Sequence, residues 1–515
     1  MARRLLPIGI HTFRKLRESN CYYVDKTGYA VRLVEEGTHY FLSRPRRFGK
    51  SLFLDTLKEL FEGSRELFEG LQAWDRWDWS VCYPVVHLSF GGGHFGERGY
   101  LHTNLMAEFD AIERDAEVER RYDTGPERLK HLLRTLHRRS GRRVVVLVDE
   151  YDKPILDALD QPDIAAANRE YLRGLYSVIK HCDANVRFCF LTGVSKFSKV
   201  SLFSGLNNLI DITLEPPYSD VCGYTEGDLD AVFAPELGDL DRNRIRDWYN
   251  GYSWGGEEKV YNPFDALLLF RTHQFKAWWF ETGTPTFLVE TLVERGVPSP
   301  QLDGMVASDD LLSTFDIGDI ATEALLFQTG YLTILGREDR GGNLFYRLGY
   351  PNREVRLSLN TSLLRHLVKD RSRQTANSIR LYDLLQAADF GGLERLFHAF
   401  FASIPYEWHT RNEIARYEGY YASIFYSYFA GLGLDVTVEE SGSGGRLDMA
   451  VRAGSRVYLL EFKVLERTGP GAAMGQLKER GYADKYRHLG EPIHLVAVEF
   501  SAETRNVEGF TVEFA

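Results

Sequence analysis

Long apolar runs are missing from this chain of 515 residues, and none approaches the roughly 20 apolar residues a membrane helix needs, so a membrane-embedded class is excluded. Arg3 and Arg4 precede a short apolar stretch, but His11, Arg14 and Lys15 interrupt it before a signal-peptide core can form. Cysteine is scarce: Cys21, Cys82, Cys182, Cys189 and Cys222 include no C-x-x-C pair, which excludes a disulfide framework and a cysteine-based structural zinc site. A cytoplasmic setting without membrane contact is the expectation. A basic excess is lacking too, since 62 Lys and Arg stand against 73 Asp and Glu for a formal charge of -11. The whole-molecule field repels phosphate, so a nucleic-acid partner has to be met by local basic patches. Internal repeats and low-complexity tracts are also absent.

What remains is ordinary globular material, 44% hydrophobic and 26% charged, with room for two to four domains. Thr38 to Ser43 reads as a short buried strand. Leu54, Leu57, Leu60 and Phe61 lie at helical spacing within Ser51 to Phe61, and Gly63 closes that helix. Val144 to Val148 and Phe188 to Leu191 are unbroken apolar runs of the kind parallel strands show when covered on both faces. The adjacent prolines of LEPPYSD put a domain edge near residue 215. A mostly helical region follows to about residue 387, with strand-like pieces at Tyr331 to Leu335 and Leu344 to Leu348. From 388 onward the pattern gives helices at Leu393 to Phe401 and Glu413 to Ala430, then strands at Leu434 to Glu439, Leu447 to Ala453 and Arg456 to Val464. A helix from about Ala472 to Arg487 and a strand at Pro492 to Glu499 complete a separate α+β or α/β core.

SRPRRFGKS stands between the first strand and helix, so Gly49, Lys50 and Ser51 end a G-x-x-x-x-G-K-[ST] loop. Backbone N–H groups at the helix start can cradle phosphates, Lys50 can reach the β- and γ-phosphates, and Ser51 can ligate magnesium. Arg46, Arg47 and Phe48 complete the loop, and Arg46 and Arg47 bring positive charge. Arg44 occupies the position of the first glycine, where a side chain is expected to crowd the loop. VVVLVDEYDK sets Asp149 and Glu150 at the carboxyl end of a buried strand, the Walker B pattern: Asp149 for magnesium, Glu150 for the attacking water. Thr192 ends the next apolar strand and is a sensor candidate, provided that strand neighbours the Walker B strand. A serine cap beside a surface lysine, and an acidic turn after a strand, are the bland readings of these segments.

A second constellation comes from the dipeptide Gly454-Ser455. A two-residue hairpin turn there makes Ala453 face Arg456, and Asp448 then falls opposite Glu461 with β-carbons about 5 Å apart. Two carboxylates that close repel unless a cation lies between them, and an all-oxygen pair suits magnesium or manganese. Lys463 shares the strand face of Glu461, Val457 and Leu459, so at least part of that face is buried. In this reading Asp448 and Glu461 hold the metal and Lys463 orients water or stabilises developing negative charge. Glu418 is a further candidate carboxylate, and Gln476, Tyr482 and Lys485 are candidates for phosphate contact or support. An exposed hairpin face with paired charges is the alternative.

Taken in order, SRPRRFGKSL, VVLVDEYDKPI, LTGVSKFSKVSLFSGLNNLIDIT, WYNGYSW, VYNPFD, LLFQTGYLTI, YRLGYPNREV, ASIPY, GRLDMAV and LLEFKV resemble the bacterial AAA-ATPase-like proteins with a C-terminal PD-(D/E)XK nuclease domain. The resemblance spans nearly the full length. It implies an α/β P-loop NTPase (AAA-like) parallel-sheet domain over 1–215, a mostly helical lid or linker region over 216–387, and a restriction-endonuclease-like α/β domain over 388–515. It also implies that Arg44 is the family's own form of the loop, and it matches Arg446, Asp448, Glu461, Lys463 and Gln476 to the nuclease motif. The expected cofactors are ATP and Mg2+ or Mn2+, and the expected partner is nucleic acid, DNA before RNA. The competing class is an ATPase switch or scaffold whose nuclease fold only binds nucleic acid or a protein. Homo-oligomerisation, with an arginine finger drawn from the 62 basic residues, stays open.

Overall fold

Two apolar runs, Val144 to Val148 and Phe188 to Leu191, become adjacent parallel strands because each can bury both faces only between helical layers. The computed structural model describes residues 3–197, 206, 208–256, 258–281, 286–295, 297, 299–312, 320–367, 371–403, 418–442 and 445–515. They divide into two compact units, one of residues 1–283 with 305–352 and one of residues 284–304 with 353–515.

In the first unit β1 (His39–Ser43), β2 (Val85–Ser89), β3 (Val144–Asp149), β4 (Val186–Gly193) and β5 (Ile210–Asp211) form an all-parallel sheet ordered β2-β3-β4-β1-β5. Every residue of β3 is buried. The strand ending in Thr192 therefore lies between the phosphate-loop strand and the Walker B strand. Helix Lys50–Glu62 packs on β2, β3 and β4, and it starts at Gly49, whose φ of 95° is open to glycine and costly to other residues. β2 lay outside the sequence reading because His87 and Ser89 interrupt its apolar residues; as a sheet edge it alternates partly and fully buried positions. Beyond the sheet the unit is largely helical, with a small antiparallel sheet of β6 (Val306–Ser308), β7 (Thr333–Arg340) and β8 (Asn343–Gly349).

The second unit holds a mixed sheet ordered β13-β12-β11-β10-β9, from β9 (Asp435–Gly442), β10 (Gly445–Ala453), β11 (Arg456–Val464), β12 (Ile493–Ser501) and β13 (Asn506–Phe514). β11 and β12 are parallel, and the other pairs are antiparallel. Helices Phe390–Ser403 and Glu418–Gly431 cover one face, where Phe397, Phe425, Phe462 and Phe500 meet. Helix Ala472–Glu479 covers the other, over Ala450, Val457, Leu459 and Leu495. The single helix expected from Ala472 to Arg487 is corrected here: Gly481 takes φ 61°, and the chain continues as a 3-10 turn, Tyr482–Leu489. β13 was unread as well: only Asn506 and Val507 are buried, Phe510 and Val512 pack half-buried on the core and Phe514 is exposed, so no clean alternation marks this edge strand.

Candidate functional site

Residues 46–52 of the phosphate loop line a cavity of 730 Å3 in the first unit, together with Ser89, Asp149, Glu150 and Lys153. Its far walls come from the N-terminal segment, through Pro7, Ile10, Tyr22 and Val24, and from Tyr224, Pro263, Phe264 and Leu267. The loop thus gathers Arg46, Arg47, Phe48, Gly49, Lys50, Ser51, Asp149 and Glu150 around one space large enough for a nucleotide. The apolar wall was missed, because Pro7, Ile10, Tyr22, Val24, Tyr224 and the helix Pro263–Thr272 are far apart in sequence and nothing local announces that they meet. Thr192 is fully buried at the end of β4, and its hydroxyl has no hydrogen-bond partner among the described residues.

Lys50 Nζ donates to the carbonyls of Arg44 and Pro45, both at 2.9 Å, so the amine is folded back onto its own loop. Burial lowers its pKa, and the charges of Asp149 and Glu150 oppose that. Asp152, three residues beyond Asp149, is pushed up to about 6 by burial, against the pull of the Ser195 N–H and of Lys50.

Arg44 corrects the expectation of a crowded loop. Its guanidinium turns inward, donating to Ser43 O (2.9 Å), Thr213 O (2.8 Å) and Tyr218 O (3.0 Å) and lying 4.3 Å from the centre of the Trp254 ring. Burial brings it down to about 10, so it stays charged near neutral pH. Arg44→Gly, which restores the usual glycine, is therefore expected to destabilise the first unit by on the order of 3 kcal/mol, since several buried carbonyls lose a charged donor. A denaturant midpoint unchanged from wild type rejects this account.

In the second unit the hairpin register runs from Ala453–Arg456 to Met449–Leu460, one step short of Asp448 and Glu461. Gly454 and Ser455 take φ of 58° and 55°, as a two-residue turn with both central residues left-handed requires. Glu461 is fully buried, and Lys463 Nζ donates to its Oε1 at 2.8 Å. The Phe462 N–H donates to Asp448 Oδ2 at 2.9 Å, which fixes that carboxylate on the adjoining strand. Burial first, and the Asp448 charge second, push Glu461 up to about 7, while the Lys463 hydrogen bond pulls it down.

A divalent ion fits this centre. Glu461 Oε2 is buried with no hydrogen-bond partner among the described residues, and the donors are hard carboxylate oxygens beside one another. No group of three or more metal-binding side chains converges among the described residues. The side chains of Glu418 and Arg446 lie outside those residues. Val457 and Leu459 are fully buried on the Glu461 face. Gln476 Nε2 donates to Tyr482 Oη at 3.4 Å, and Lys485 is exposed. Glu499 was not singled out from the sequence: it pairs with Lys463 across β11 and β12 and is 9% exposed. An acid ending the apolar strand IHLVAVEF was the available signal.

A family model described as predicted AAA-ATPase matches residues 7–203, and one described as PD-(D/E)XK nuclease superfamily matches residues 416–510. A protein of Azotobacter chroococcum mcd 1, described as an uncharacterized protein in the vnfD 5' region, is 58% identical over 514 residues, covering 100% of this chain and 99% of that protein.

Proposed function

Because the chain belongs to the predicted AAA-ATPases that carry a C-terminal PD-(D/E)XK nuclease superfamily domain, we propose that it binds and hydrolyses ATP in its first unit and cleaves phosphodiester bonds, foremost in DNA, in its second. The observation that carries this reading is the fully buried Glu461, joined to Lys463, with Asp448 beside it and one oxygen unpartnered among the described residues. A buried acid so placed costs stability unless a cation compensates it, so a purely structural role explains it poorly.

Asp448 and Glu461 would hold Mg2+ or Mn2+, which when bound supplies Lewis acidity toward the phosphodiester and acidifies a water. Lys463 would orient the attacking water or offset the charge that builds on the phosphate, with Gln476 on the covering helix and Tyr482 on the 3-10 turn after it in support. In the first unit Arg46, Arg47 and Lys50 would meet the phosphates, Ser51 and Asp149 would hold the nucleotide's magnesium, and Glu150 would orient water. Five free thiols, four of them buried, accord with a reducing cytoplasm. No helix among the described residues is long and apolar enough to cross a membrane.

The test is supercoiled plasmid with Mg2+ or Mn2+ and wild-type, Asp448→Ala or Lys50→Ala protein. Loss of cutting in Asp448→Ala supports the reading. Equal cutting by that variant, or cutting of RNA alone, overturns the nuclease assignment or its DNA part.

Metal binding should also depend on pH. Glu461 is raised from 4.5 to about 7, so below that value a metal must displace a proton and above it none is held. Mn2+ affinity is expected to climb about tenfold per pH unit up to neutrality and then level off. Calorimetric titration at several pH values checks this; a flat profile contradicts it.

A further inference from the structure

The turn after β3 is tied to the loop after β4 far more tightly than a strand connection needs. Tyr151 N–H donates to Thr192 O (3.1 Å), and its hydroxyl donates to Ser195 O (2.8 Å) and accepts from Phe197 N–H (3.2 Å). Asp152 Oδ2 accepts from the N–H groups of Val194 (2.9 Å) and Ser195 (2.6 Å). Gly193 has no room for a side chain, since a Cβ there would collide with Asp152 Oδ1 and stand 2.6 Å from the Tyr151 ring. From the other side the phosphate-loop strand holds the same segment, Arg44 N–H donating to Gly193 O (3.2 Å) and Ser43 Oγ to Val194 O. Residues 193–195 thus join the two phosphate-handling loops.

Glu150 sits at the start of this clasp with φ 51°, a left-handed conformation that costs a non-glycine residue on the order of 1 kcal/mol or more and persists only where neighbours over-determine it. Tyr151 and Asp152 are those neighbours. We infer that Asp152, with Tyr151, is a positioning residue for ATP turnover: by gripping residues 193–197 it holds Glu150 in the turn that aims its carboxylate at the nucleotide cavity. Binding depends on Lys50 and the loop amides; the Asp152 hydrogen bonds go to Val194 and Ser195 instead, and its charge reaches Lys50 only as one of several acidic neighbours, so removing Asp152 lowers turnover far more than affinity. The inference rests on the ATP-hydrolysing reading of the first unit.

The experiment measures ATP Kd, kcat and melting temperature on the full chain for wild type, Asp152→Ala, Asp152→Asn and Tyr151→Phe. Asp152→Ala is expected to lose about tenfold to a hundredfold in kcat with Kd within about threefold, because a misaimed catalytic group costs rate rather than binding. Asp152→Asn is expected to recover most of it, since the amide oxygen still accepts both N–H groups. Should Asp152→Ala fail to fold, Tyr151→Phe keeps the ring and loses only the hydroxyl, with a several-fold fall in kcat expected. Wild-type turnover in every variant, or an Asp152→Asn no better than Asp152→Ala, overturns the positioning role alone. A wild-type chain that binds no ATP removes the nucleotide site itself, and one that binds without turnover removes the role of Glu150 and this inference together.

Discussion

Glu461→Gln is expected to drop DNA cleavage by about a thousandfold while leaving the second unit folded and more stable than wild type. The substitution keeps shape and burial and deletes one charge. In the absence of metal that charge is a burden, because the carboxyl is fully buried beside Asp448 and raised from 4.5 to about 7. The sign follows from linkage: the folded chain holds this proton over a range where the unfolded chain has released it. Stability from the site is full below about pH 4.5 and is lost as pH rises through about 7. Glutamine carries no charge at any pH, so its advantage grows across that window to on the order of 1–3 kcal/mol. Mn2+ should reverse the order, stabilising wild type and leaving Glu461→Gln unmoved. Denaturant melts at pH 6 and about pH 8, with and without Mn2+, read this directly. A variant that cleaves at the wild-type rate would falsify the metal-binding role of Glu461.

The hairpin that builds this centre was legible because its geometry is local. A two-residue turn at Gly454-Ser455 leaves one register, and register fixes which side chains share a face. The Walker strands were legible for a similar reason, since unbroken apolar runs ending in Asp149 and Thr192 have few other places to go. What could not be read depends on partners distant in sequence. Arg44 turns inward to meet carbonyls at Thr213 and Tyr218, about 170 positions away, and nothing in SRPRRFGKS announces them. The apolar wall of the phosphate-loop cavity is assembled from segments near residues 7–24, 224 and 263–267, the last on helix Pro263–Thr272, and nothing in the sequence shows that they meet. Asp152 was passed over because it follows the stronger motif residues Asp149 and Glu150, and Glu499 because an acid at the end of an apolar strand reads as its exposed terminus; only the fold shows that both are buried. The break at Gly481 is local, yet an isolated glycine within a helical pattern is often tolerated.

Lys50→Ala is expected to weaken ATP binding by about a hundredfold, roughly 3 kcal/mol, the order of two charge-assisted contacts. The amine's hydrogen bonds go to Arg44 O and Pro45 O, and burial lowers its affinity for a proton. Phosphate oxygens are better acceptors for a buried ammonium than those carbonyls, and their charge restores the proton affinity that burial removes. The exchange also frees the carbonyls of residues 44 and 45, on the same strand end that holds Gly193 and Val194 through Arg44 N–H and Ser43 Oγ. Fluorescent ATP titration against wild type measures the loss, and affinity within threefold of wild type excludes Lys50 from phosphate contact. Plasmid cutting by the same variant then decides how the units are used: cutting that persists without ATP makes the nuclease autonomous, and cutting lost along with binding makes nucleotide its licence.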